Sequence, residues 1–244
     1  AQQLGLAAVT RHGAALQIPF LHQTVHVHRD EIRLDAAHLH DVPCRMIAGV
    51  VGQKHQDIEG RLGQMQLLAK RHVSAAHCPV SNLKLASGCA DVLGMVKAGM
   101  NVCLGTDSVA SNNNLDLFEE IKAASLLAKV DSLSPKALPA QAALMMATVC
   151  GARSQGREAE CGMIKLGMDA DLILLDFTQP HLMPCHNVMS HLAYAAKGSD
   201  VVMTMVRGKI LYAAGEYKTI DLNAVVRELA EYVMPKLFGE KKEG

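Results

Sequence analysis

Between residues 67 and 154, short apolar runs alternate with longer amphipathic ones, the order expected when strands and helices take turns along a parallel sheet. Residues 67–72 close a helix, and residues 73–77 read as a strand ending in His77. An apolar helical run over residues 90–98 is stopped by Gly99. Residues 100–105, MNVCLG, have the character of a buried parallel strand, which needs no alternation because helices cover its faces. Thr106-Asp107 comes next, then a polar turn over residues 111–114, then a helix over residues 115–130. A further apolar helix is predicted over residues 139–154, with Met145 and Met146 as core filler.

The flanks have other periods. Residues 1–17 read as the end of a helix running into a connection, and residues 17–25 as a strand with Pro19 at its start, where a missing donor is tolerated. Residues 29–66 are rich in His, Arg, Gln and Asp and show little periodicity. After Gly167 the pattern shifts to period two, with strands predicted over residues 170–176 and 201–206. A tight turn at Arg207-Gly208-Lys209 leads into a third strand over residues 210–212. Asp221 is placed to cap a last amphipathic helix with Leu222, Val225, Val226, Leu229 and Val233 on one face, and residues 239–244 form a charged tail.

Composition narrows the class. A chain of 244 residues can bury a full core, and its formal net charge of +0 gives no reason to expect nucleic acid as a partner. Aromatic residues make up 3% and Trp is absent, which disfavours base-stacking platforms. The apolar runs are too short and too interrupted for a membrane span, and the N-terminus lacks the basic-then-apolar order of a signal peptide. Seven cysteines without a C-x-x-C motif fit buried thiols in a reducing cytoplasm.

Asp107 is the first candidate for chemistry, because side chains at the C-terminal ends of strands in a (β/α)8 barrel face the active-site mouth. The competing role is that of a turn aspartate capping the next helix. The asparagine run at residues 112–114 offers caps nearer Leu115, so that role does not require Asp107. Two H-x-H pairs, His26/His28 and His38/His40, would each present both rings on one face of a strand. Both pairs read more simply as loop histidines.

The segments HCPVSNLKLASG (77–88) and LGTDSVASNNNLDLFEEIKAASLLAK (104–129) resemble the metal-dependent amidohydrolase superfamily. The likeness is greatest to the branch that holds the 5-methylthioadenosine/S-adenosylhomocysteine deaminases and related chlorohydrolases. It extends from about residue 67 to residue 221 and includes Gly151-Ala152-Arg153 and Gly198-Ser199-Asp200-Val201. The resemblance implies an α/β fold. Residues 1–160 would form the C-terminal half of a (β/α)8 TIM-type barrel, strands five to eight, and residues 161–221 part of a small β-sandwich. Residues 222–244 would form the C-terminal helix and tail.

The same resemblance assigns roles. In the family a divalent metal, zinc or alternatively iron, lowers the pKa of a bound water so that hydroxide forms near neutral pH. The carboxylate after the eighth strand binds that metal and takes the water's proton; here it is Asp107. A glutamate from an H-x-x-E motif moves protons to the substrate and to the leaving ammonia. Two alignments compete for that motif. Matching His22-Gln23-Thr24-Val25-His26 to the branch's H-E-T-A-H puts Phe20 at the metal position and Gln23 at the catalytic one, both disabling. Sliding forward gives His28-Arg29-Asp30-Glu31, with His28 as metal ligand and Glu31 as the proton carrier. Family spacing back from His77 lands on Gln56, one residue beyond His55, which makes His55 a further candidate ligand or else a solvated loop histidine, while His77, Ser81 and Asn82 fall where substrate would bind.

The barrel's first four strands, with their H-x-H pair, have no counterpart, and the chain starts Ala1-Gln2-Gln3, so a truncated chain is expected. A half barrel leaves open sheet edges, which implies pairing with other chains, for instance as a homo-oligomer, or else a rearranged fold or poor stability. Two functions follow. One is a metal-dependent hydrolytic deaminase acting on a small nucleoside-like substrate such as 5-methylthioadenosine or S-adenosylhomocysteine. The other is a non-catalytic fragment or pseudoenzyme with a structural or interaction role.

Overall fold

A computed structural model describes residues 46–48 and 58–239. Its first layer is a three-stranded parallel sheet in the order β1 (Met46–Ala48), β2 (Ser74–His77), β3 (Asn101–Leu104). Met46 pairs with Ser74, Ser74 with Asn101 and His77 with Leu104, so the strands are in step and their C-terminal ends lie along one edge. Parallel strands need long crossovers, and helices supply them. Helix α1 (Ile58–Lys70) joins β1 to β2, and α2 (Pro79–Lys84) and α3 (Val92–Lys97) join β2 to β3.

Beyond β3 come a single turn, α4 (Val109–Asn112), and the long α5 (Leu117–Ser132). The sequence pattern put the start of α5 at Leu115. The chain instead enters the helix two residues later, because the Asp116 side chain accepts from the Phe118 N–H and fixes the cap there. Asp116 also accepts from the Gly198 N–H at 2.7 Å, joining this helix end to the C-terminal region.

The single helix predicted over residues 139–154 is broken into α6 (Ala140–Ala147) and α7 (Val149–Ser154). Thr148 stands between them at φ −120 and ψ −88, and its hydroxyl donates to the Leu144 carbonyl at 2.8 Å. Such back-bonding from Thr bends or interrupts a helix without any Gly or Pro. The core lies between the sheet and these helices, with Val102 and Leu104 of β3 packed in one cluster with Ile121, Ala124 and Leu144. Ile121 has no exposed surface, and burying a side chain of that size contributes roughly 2 kcal/mol.

The second sheet is antiparallel, in the order β4 (Leu172–Leu175), β5 (Val201–Val206), β6 (Lys209–Ala213), β7 (Glu216–Tyr217). Helix α8 (Val188–Tyr194) precedes β5 and packs on α5 and α6. Arg207 and Gly208, both at positive φ, form the two-residue hairpin turn between β5 and β6 that the sequence marked. Glycine suits this turn because both central residues of such hairpins are left-handed.

The final helix predicted from Asp221 is three consecutive segments: α9 (Leu222–Glu228), a π-helical turn (Leu229–Val233) and α10 (Met234–Phe238). Asp221 does cap it, accepting from the Ala224 N–H. Leu222, Val225, Val226 and Leu229 are exposed. Among the described residues no helix is long and apolar enough to cross a membrane.

Candidate active site

Asp107 lies three residues past the end of β3, at the edge where the parallel strands finish. Its backbone is left-handed, φ +59, a conformation that Asp tolerates better than most residues. The Ser81 hydroxyl, buried in the first turns of α2, donates to Asp107 Oδ2 at 2.7 Å. This contact joins the segment after β2 to the segment after β3 and fixes the rotation of the carboxylate. The Gly105 N–H donates to the His77 carbonyl, extending the parallel pairing up to the site. Capping falls to other residues: Ser108 accepts from the Ser111 N–H at the start of α4, and Asp116 caps α5.

Glu120 is the residue that local sequence reasoning missed. As an acid in the first turn of a helix it reads as a solvated group favoured by the helix dipole. The structure buries it completely, with 0% of its surface exposed. Glu120 Oε2 accepts from the Val80 N–H at 3.2 Å, and Oε1 accepts from Asn112 Nδ2 at 2.6 Å. Asn112 Nδ2 also donates to the Thr106 carbonyl at 2.6 Å. Burial pushes the Glu120 carboxyl up to about 7, against the two donors that favour its charged form, with Glu119 and Asp107 adding a smaller upward push. A signal for this was present, since Glu120 shares its helix face with Ala124 and Ala128, both buried.

Cys78, at the N-terminal cap of α2, faces the same carboxylates. Burial, with Asp107 and Glu120 adding to it, pushes its thiol up to about 12, so it is a neutral, inert thiol. Lys84, at the other end of α2, donates to the Ala110 carbonyl at 3.1 Å and to Asn113 Oδ1, tying α2 to α4 on the outside of the site.

Ser81 and Asp107 are therefore brought together. Asn82 is half-buried in α2, its N–H donating to the Cys78 carbonyl. His77 is 3% exposed, and neither ring nitrogen has a hydrogen-bond partner. Its ring lines a small cavity with Cys89, Asp91, Val92, Ala124 and Ala128, between the start of α3 and the face of α5. Strand alternation gives the reason, because His77 shares the face of Ala75, which belongs to the core under the helices. Desolvation there lowers its pKa to about 4, so the ring is neutral. His28, Glu31 and His55, like Phe20 and Gln23 of the competing alignment, lie outside the described residues.

A catalytic zinc takes three protein ligands and keeps one position open. Among the described residues no group of three or more His, Cys, Asp or Glu side chains is gathered to hold a metal. Asp107 and the described side chains around it therefore do not by themselves make up a metal site. What the described residues do is hold one half-buried carboxylate through the Ser81 hydroxyl, at the end of a parallel strand, near the hydrogen-bonded group of Glu120, Asn112 and the Val80 N–H.

A carboxylate so placed is the arrangement of α/β enzymes that work at the C-terminal ends of their strands. The chain belongs to the amidohydrolase family, whose model matches residues 22–211. Over 168 residues it is 51% identical to a 5-methylthioadenosine/S-adenosylhomocysteine deaminase of Moorella thermoacetica, covering 69% of this chain and 39% of that protein. Over 161 residues it is 54% identical to a 5'-deoxyadenosine deaminase of Methanosarcina barkeri, covering 66% of this chain and 36% of that one. A crystal structure of an adenosine deaminase from Xanthomonas campestris with bound zinc superposes with a TM-score of 0.70 at 36% identity, over 76% of this chain and 41% of that one. The chain spans well under half the length of the curated relatives it matches. The fold is α/β with amidohydrolase neighbours, consistent with a partial TIM-barrel-type domain.

Proposed function

We propose that this chain carries the C-terminal part of a metal-dependent hydrolytic deaminase acting on nucleoside-like small molecules, 5-methylthioadenosine, S-adenosylhomocysteine or 5'-deoxyadenosine among them. The observation that carries this reading is the Ser81–Asp107 pair at the end of β3, within a stretch of 168 residues that is 51% identical, and one of 161 residues that is 54% identical, to enzymes with those names. In this reading β1, β2 and β3 are the sixth, seventh and eighth strands of the barrel, and the antiparallel sheet is part of the flanking sandwich. Asp107 is the carboxylate that would help to hold a divalent metal, zinc being favoured by the zinc-bound structural relative; when bound, the metal would supply an activated water, whose proton Asp107 is placed to accept. Ser81 holds Asp107 in place, Asn82 lies in the segment that meets substrate, and His28, His55 and Glu31 are the candidates for the remaining ligands and the proton carrier. His77 is better suited to a packing role, given its neutral ring and its place under α5. Free buried thiols, Cys103 and Cys161 among them, fit work in the cytoplasm.

A second reading, a chain that keeps the fold without turnover, is favoured by the alignment that puts Gln23 where a proton carrier is needed. One experiment separates the two: elemental analysis of the purified chain and of Asp107→Ala, with ammonia release from 5-methylthioadenosine measured on both. Stoichiometric zinc and ammonia release, both lost in the variant, support the deaminase. No metal and no ammonia from either protein support the inactive chain.

A further inference from the structure

We propose that Glu120 is a positioning residue for Asp107, acting through both segments that meet at the Ser81–Asp107 pair. The two oxygens of its carboxylate reach different elements. Oε2 holds the Val80 N–H, one residue before Ser81. Oε1 holds Asn112, and the same amide nitrogen of Asn112 holds the Thr106 carbonyl. That carbonyl belongs to the peptide plane leading into Asp107. The tilt of this plane sets φ of Asp107, which stands at +59 where most residues would resist it. One buried carboxylate therefore sets the backbone entering Asp107 on one side and the residue beside its hydroxyl partner on the other.

The arrangement exceeds what packing alone requires. Glu120 is fully buried in a helix whose neighbouring core positions are Ile121 and Ala124, where an apolar side chain would fill the space. Asn112 is itself buried, and its donor is shared between Glu120 and Thr106, so the link is continuous from α5 to Asp107. Glu119, next in the chain, is exposed and meets Asn114 instead, which makes it a matched control.

The test uses the full chain with Glu120→Ala, Glu120→Gln, Asn112→Ala and the control Glu119→Gln. Amide hydrogen exchange is followed at Val80 and over residues 105–114, together with the carboxyl carbon signal of Asp107, assigned by its loss in Asp107→Asn. Glu120→Ala and Asn112→Ala should each speed exchange over residues 105–114 by about tenfold, the effect of leaving a buried donor or acceptor without its partner. Val80 should open in the Glu120 variants and stay protected in Asn112→Ala. Glu120→Gln, which keeps one acceptor, should fall between wild type and Glu120→Ala. The Asp107 signal should move in Asn112→Ala, which changes no charge, and Glu119→Gln should do none of this. An unmoved Asp107 signal in Asn112→Ala, or exchange rising equally in α6, overturns the proposal. Should Glu120→Ala fail to fold, Asn112→Ala carries the test alone.

Zinc affinity of the same proteins adds an arm that rests on the reading of Asp107 as a metal ligand. If Asp107→Asn abolishes binding, Glu120→Ala should weaken it at least tenfold, and an unchanged affinity there overturns the positioning role. If Asp107→Asn binds zinc like wild type while the loop variants still open, the metal reading fails and the positioning of Asp107 stands.

Discussion

The Ser81 hydroxyl donates to Asp107 Oδ2 across 2.7 Å, joining two residues that follow neighbouring parallel strands. Ser81 is buried, so Ser81→Ala takes away a protein donor that the carboxylate holds in the folded chain. Ser81→Ala should destabilise the chain by about 1.5–3 kcal/mol, the range for a hydrogen bond to a charged group. Urea titration of wild type and variant measures this. A loss below about 0.5 kcal/mol, the level of an ordinary surface substitution, would show the bond to be dispensable.

Asp107 itself holds a left-handed backbone. Asn adopts that region as readily, whereas a β-branched residue is strained by about 1–2 kcal/mol there. Asp107→Asn should therefore keep the melting temperature close to wild type, while Asp107→Val lowers it by several degrees. Equal melting temperatures for the two variants would mean that the loop relaxes out of the observed conformation.

How much of this could be read in the sequence follows from how local each signal is. β3 and its aspartate are legible because a buried strand, a turn and a helix succeed one another within thirty residues. The Arg207-Gly208 hairpin is legible for the same reason. Glu120 is not, because its partner Val80 is forty positions away and only the fold brings the two together. The break at Thr148 is hidden because a threonine hydroxyl ends the helix where no Gly or Pro stands. The face of His77 follows from counting positions along β2, since Ala75 is core and side chains alternate, but a histidine closing a strand draws attention to the mouth. Residues 20–31 are where sequence reasoning leaves two alignments, and their candidates lie outside the described residues.

Glu120 gives stability a pH dependence of definite sign. Its carboxyl is raised from 4.5 to about 7 in the folded chain, so between these values the native state holds a proton that the unfolded state has lost. Its contribution is full below pH 4.5 and is lost as pH rises through 7. The size is of order 3 kcal/mol, because the rise from 4.5 to about 7 spans between two and three tenfold steps in proton affinity of about 1.4 kcal/mol each. Urea midpoints taken from pH 4.5 to 8 should fall more steeply for wild type than for Glu120→Gln, which cannot titrate. Parallel curves would show that Glu120 does not titrate in this window.

His77 works in the opposite direction over an overlapping range. Its pKa is lowered from 6.5 to about 4, so between these values the unfolded chain takes up a proton that the buried ring refuses. Its contribution is present above pH 6.5 and is lost as pH falls through 4. The ring lies with Asp91 and Asp131 in the lining of its cavity, and desolvation still prevails over any help from those carboxylates. His77→Leu, close in volume and unable to charge, should remove this acid sensitivity. The stability of the variant relative to wild type should rise by about 1–3 kcal/mol between pH 7 and pH 4.5, the free energy of a ten- to hundredfold loss of proton affinity. The double variant with Glu120→Gln should lose both of these opposing contributions over the same range. If His77→Leu instead stays parallel to wild type down to pH 4.5, the ring protonates in place and must find a partner in the cavity.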